Sequence, residues 1–65
     1  MRDKLIKASL KMFEAQVEKH KTNVEYLLHN PVGVAEHSDI METIEKEMEQ
    51  VSHYEDLISV INKHF

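Results

Sequence analysis

Residues 29–39, "HNPVGVAEHSD", hold the only Pro and the only Gly of the 65-residue chain, Pro31 and Gly33. Proline cannot continue a helix, and it drives the residue before it, Asn30, out of the helical region. Asn is also tolerated as a left-handed residue closing a helix. "NPVG" suits a type I turn, with Asn30 first, Pro31 second and Gly33 last. The stretch therefore reads as a corner over about 30–37. Val32 and Val34 are expected to fold back over the end of the molecule, near Leu27, Leu28 and Ile40.

Outside the corner nothing interrupts a helix. Upstream, Ile6, Leu10, Phe13, Val17, His20, Val24 and Leu27 step by four and three, a heptad seam. The spacing predicts a helix over about 2–29. Downstream, Ile40, Ile44, Glu47, Val51, Tyr54, Ile58, Ile61 and Phe65 repeat the pattern and predict a helix over about 38–63. Ser38 or Asp39 can cap it, and Asp39 with Glu42 fits a capping box. The chain is thus one domain, 1–65, an all-α antiparallel two-helix hairpin. Antiparallel pairing brings together residues whose numbers sum to about 67–68: Phe13 with Tyr54, Val17 with Val51, His20 with Glu47.

Leu5, Met12, Tyr26, Met41, Met48 and Leu57 flank the seams and widen the apolar face. Two helices touch along one line, so a lone hairpin leaves much of that face wet, at about 25 cal/mol per Å². The expectation is a homodimer closing a four-helix bundle. A tetramer, or a helix from another protein, would cover the same face.

Composition narrows the classes. There is no Cys, so disulfides and thiolate metal sites are excluded. No apolar run approaches the roughly 18–20 residues that span a bilayer, and the first sixteen residues lack the apolar stretch of a signal peptide. A cytoplasmic protein without membrane contact is expected. Residues 1–29 carry six basic and four acidic residues, net +2; residues 30–65 carry two basic and eight acidic, net −6. The two halves attract when folded side by side. The net charge of −4 argues against a nucleic-acid partner.

His20 and Glu47 interrupt the seams at one level. They read first as a polar layer that fixes register, with Gln16 and Asn23 one turn either side of His20. The sharper alternatives are a buried acid–base pair, or half of a symmetric His/Glu metal cluster in a dimer. Glu49, His53 and Asp56 share a helix face, but the seam turns that face outward, so a solvated surface is the plainer explanation. At the corner, the helix dipole accounts for His29, Glu36 and Asp39 without a ligand. Beside them, Asn30, Pro31, Gly33 and His37 complete the stretch that a partner could touch. Lys4, Lys7 and Lys11 form a basic face without interleaved aromatics, expected to pair with Glu55 and Asp56. No serine sits in a glycine-flanked elbow. Neither catalysis nor a cofactor is expected.

"LLHNPVGVAEHSD" at 27–39 and "VINKHF" at 60–65 resemble small uncharacterised helical-hairpin proteins encoded by T4-like tailed phages of marine bacteria. The resemblance implies a phage-encoded protein acting in the bacterial host cytoplasm, and it supplies no catalytic residues. The expected role is a noncatalytic interaction or structural module, such as a phage accessory protein. The alternative is a small adaptor that binds a host macromolecule, such as a nucleic-acid enzyme, through the 29–39 corner or the Lys face. A His/Glu metal-binding bundle is the third.

Overall fold

The computed structural model describes residues 1–30 and 37–65. It contains two helices, α1 over Arg2–His29 and α2 over His37–His64, each of 28 residues. No strand occurs among the described residues. At about 1.5 Å per residue each helix is roughly 42 Å long. They lie side by side and antiparallel, and the molecule measures 47 × 15 × 14 Å.

The helices form because an unbroken heptad pattern covers both. Charge favours their ends: Asp3 and Asp39 lie in the first turns, His29 and the pair Lys63 and His64 in the last. Helix α2 begins at His37, one residue before the expected start. Asp39 therefore sits inside the first turn and does not cap it; Thr43 Oγ1 donates to the Asp39 carbonyl at 2.7 Å. Helix α1 stops at Asn30, whose φ of −134° and ψ of 56° lie outside the helical region, as the following proline requires. The left-handed closure considered for Asn30 is not adopted. Its backbone N–H and its Nδ2 both donate to the Tyr26 carbonyl, at 2.9 and 3.2 Å, which satisfies one of the orphan acceptors of the helix end. Residues 31–36 lie outside the described residues. The turn roles of Pro31 and Gly33, the dipole role of Glu36 and the packing of Val32 and Val34 fall there.

The pairing level matches the sequence. Phe13 and Tyr54 rings stand 6.0 Å apart, His20 meets Glu47, and Arg2 Nη2 donates to the Phe65 carbonyl at 3.0 Å. Every one of these pairs sums to 67. Both seams are half-buried or better along their length, except Phe65, which is 65% exposed at the open end. Among the described residues only Val24 and Leu27 are buried, both near the corner. Lys4, Lys7 and Lys11 are exposed, and their expected pairing with Glu55 and Asp56 is not formed. Among the described residues the ion pairs are Arg2–Asp3, His20–Glu47 and His29–Glu25.

The flanking apolar side chains do not make one broad face. Tyr26 lines a cleft with Asn23, Leu27, Thr43 and Glu47, on one edge of the seam. Met48 lines a cleft with Lys21, Val24, Glu25 and Val51, on the other. Leu5 and Met12 precede Tyr26 by multiples of seven, and Leu57 follows Thr43 by fourteen, so these join the Tyr26 edge. Met41 precedes Met48 by seven and joins the opposite edge. The reason is geometric: a residue one position before a seam member lies on one side of it, and a residue one position after lies on the other.

Leu27→Ala should destabilise the chain by about 2–4 kcal/mol, since it empties one of the two enclosed positions. Met41→Ala, at a side chain 79% exposed, should change stability by about 0.5 kcal/mol or less. Urea unfolding of both variants at one fixed chain concentration checks the contrast. Equal midpoints would show that Leu27 is not part of the interior.

Candidate functional site

The one cluster of polar side chains inside the seam is built from three residues on two helices. His20 Nδ1 lies 3.2 and 3.3 Å from the two Glu47 carboxylate oxygens, so the ring N–H donates to the carboxylate. Asn23, one turn further along α1, donates through Nδ2 to Glu47 Oε1. One carboxylate thus bridges two donors spaced three residues apart on the opposite helix. That spacing puts both donors on one helix face, turned toward α2. The His20 and Glu47 side chains retain 12% and 19% exposure. The His20 ring also lies parallel to Tyr54, 7° from coplanar with centroids 6.3 Å apart. Tyr54 in turn meets Phe13, so an aromatic row leads from the apolar seam to the layer.

Glu47 is held charged. Desolvation pushes its pKa up. The hydrogen bonds from Asn23 and His20, with the positive charges of His20 and Lys19, outweigh it and leave the pKa below the ordinary 4.5. The arrangement holds a negative charge on Glu47. No buried side-chain polar atom among the described residues lacks a partner. A satisfied layer of this kind fixes pairing, because a shift by one turn would strand a carboxylate against apolar side chains.

The sequence placed His20 and Glu47 together, and the structure brings them together. Of the two residues named as completing the layer, Asn23 joins it. Gln16 is half-buried on the same edge, one turn away from the bonded set. The donor role of Asn23 follows from its position one turn after His20, and its specific bond to Glu47 needed the structure. Among the described residues no three His, Asp or Glu side chains converge on a point that could hold a metal ion. Glu49, His53 and Asp56 are exposed, and the His53 ring rests edge-on against Tyr54 at 4.8 Å. His29 Nδ1 donates to the Glu25 carbonyl at 2.8 Å, which gives it a helix-ending role. Of the corner residues, Asn30 closes α1, His37 opens α2 and Asp39 lies in its first turn; Pro31, Gly33 and Glu36 lie outside the described residues. No helix among the described residues is long and apolar enough to cross a membrane.

The layer makes two expected outcomes. A carboxyl with a folded pKa below its unfolded value stabilises the fold fully above the unfolded value, and that stability is lost as pH falls through the folded one. Wild type should therefore lose thermal stability relative to Glu47→Gln as pH is lowered below about 4.5. Parallel melting curves for the two proteins from pH 7 to pH 3 would show that Glu47 is not held charged. In a double-mutant cycle, His20→Leu and Glu47→Leu should be coupled by roughly 0.5–2 kcal/mol, with each single change worse than the pair. A coupling near zero would mean that the two side chains reach water separately.

No protein-family model matches the chain, and no curated protein or solved structure matches it either.

Proposed function

We propose that this chain is a noncatalytic helical interaction and structural module that works as a homodimer, two hairpins closing one four-helix bundle. The observation that carries the proposal is surface area. A compact monomer of 7.7 kDa exposes about 4,300 Å², whereas this chain exposes 5262 Å². The excess of roughly 900 Å² is close to the ~800 Å² that each partner covers in a stable interface. The excess is also apolar in character, with Leu5, Met12, Tyr26, Leu28, Met41 and Met48 all more than half exposed. A second hairpin is the simplest object of the right length to cover it.

The His20–Asn23–Glu47 layer supports a structural role. The Glu47 carboxylate is spent on hydrogen bonds from His20 and Asn23 within the hairpin. On this proposal the module acts in the cytoplasm. Its likeness at 27–39 and 60–65 to small phage-encoded hairpins makes it an accessory protein of a phage. One observation favours a second role, as an adaptor for an acidic partner: Lys4, Lys7 and Lys11 are exposed along α1 and outside the ion pairs of the described residues.

Sedimentation equilibrium tests the main proposal. At micromolar concentration the chain should sediment at about twice 7.7 kDa, with mass falling toward the single-chain value on dilution. A folded monomer across that range, shown by helical circular dichroism at single-chain mass, would overturn it.

A further inference from the structure

Resting on the self-association proposed above, we infer that the second copy docks on one edge of the hairpin only, the edge of Leu5, Met12, Tyr26 and Val60. The Met41–Met48 edge stays in water.

The two edges differ in charge. On the first, the positions next to the seam are Arg2, Ser9, Gln16 and Asn23 on α1 and Thr43, Gln50, Leu57 and His64 on α2, each set spaced by seven. Arg2, at the open end, is the one Arg, Lys, Asp or Glu among them. On the second, the matching positions include Lys7, Glu14, Lys21 and Glu55. Closing the second edge would take those four charges out of water, at a desolvation cost that attraction between them rarely returns. In the matching rows the first edge holds Arg2 alone, at the open end of the hairpin. Interface centres are depleted of charge in the same way.

Burial leans to the same edge. Ser9, Gln16, Asn23, Thr43 and Leu57 are already half-buried, whereas Lys7, Glu14, Lys21, Met41, Met48 and Glu55 are exposed. A helix in a bundle turns toward the core a stripe made of its seam plus one flanking row, and here that row is the one of Ser9, Gln16 and Asn23. Leu5, Met12, Tyr26 and Val60 border it and are 60%, 56%, 62% and 39% exposed, with Lys19 and Lys46 between them in the same rows.

The occupant is a second copy for two reasons. The excess exposed area of the whole chain, roughly 900 Å², is of the size that one partner of a dimer buries. The edge is also poor in acidic groups: apart from Glu47 in the seam, Asp39 is the one acidic residue along it among the described residues, beside the basic Arg2, Lys19 and Lys46, although the chain holds twelve Asp and Glu. A chain of net charge −4 pairs with itself at least cost where its acidic groups are absent. A twofold axis then lays the row of Ser9, Gln16 and Asn23 and the row of Thr43, Gln50 and Leu57 against their own copies.

Sedimentation equilibrium of four proteins tests the assignment: wild type, Leu5→Glu with Met12→Glu, Met41→Glu with Met48→Glu, and Gln50→Glu. All five substituted side chains are exposed, so helical circular dichroism should be retained. The Leu5/Met12 pair should weaken dimerisation by roughly 100-fold or more, since two apolar side chains leave the interface and two charges enter it. The Met41/Met48 pair should change the dissociation constant by about threefold or less. Gln50→Glu, a single mild change that keeps the fold, should weaken it by about tenfold. Loss of the dimer in the Met41/Met48 pair with the Leu5/Met12 pair unaffected would overturn the edge and leave self-association standing. Equal losses in both pairs, or an unaffected Gln50→Glu, would also overturn the edge. A monomeric wild type would overturn the self-association on which the inference rests.

Discussion

Two cylinders touch along a line. Everything in this structure follows from that constraint. Each helix turns one row of side chains to the other, and only the rows beside the contact line gain partial cover. Of the described residues just Val24 and Leu27 are enclosed, although both helices carry a full heptad seam. A domain of this size hides a smaller fraction of its surface than a larger one does. A hairpin hides less still, because its length of 47 Å is three times its width. Apolar side chains flanking the seams, such as Leu5, Met12, Tyr26, Met41 and Met48, stay more than half exposed.

A thin interior makes the choice of register delicate. Apolar seams of Ile, Leu and Val slide against each other at little cost, since one turn displaced still meets apolar side chains. The carboxylate of Glu47 removes that freedom. It is satisfied only where His20 and Asn23 both reach it, which happens at one alignment of the helices. Phe13 and Tyr54 add shape to the same alignment. The polar layer therefore contributes less to net stability than to uniqueness, and its desolvation is the counterpart of that specificity. Charge works at longer range. The basic character of residues 1–29 and the acidic character of 30–65 favour the antiparallel fold without close ion pairs between the helices beyond His20–Glu47.

Much of this was legible in the residues. Both helices were bounded to within a residue because Pro31 and Gly33 are the only breakers and the heptad runs straight up to them. The pairing of His20 with Glu47 followed from two interruptions at one level. Three things were not legible. The role of Asp39 as a cap failed because α2 starts a turn-fraction earlier, a matter of local backbone that periodicity does not resolve. The bridge between Lys4, Lys7, Lys11 and Glu55, Asp56 failed because side chains that long, at exposed positions, gain little by closing a pair. The third concerns the flanking apolar residues. Listed by hydrophobicity they look like one face; assigned to sides of the seam they are two, and Leu5, Met12 and Tyr26 part from Met41 and Met48.

That separation ties the polar layer to assembly. Asn23 belongs to the row of Ser9 and Gln16, so the layer opens toward the edge assigned to the second copy. Glu47 in the free hairpin still keeps some contact with water, at 19% exposure. A second hairpin on that edge would remove much of it. The bonds from Asn23 and His20 would then act in a drier medium, where a hydrogen bond to a charge is stronger and a missing one is more costly. Register within the hairpin and docking between hairpins would reinforce each other: a slipped hairpin presents an unsatisfied carboxylate near the interface, and the second copy rejects it. The same three residues that align two helices would thus select the correctly aligned hairpin for assembly.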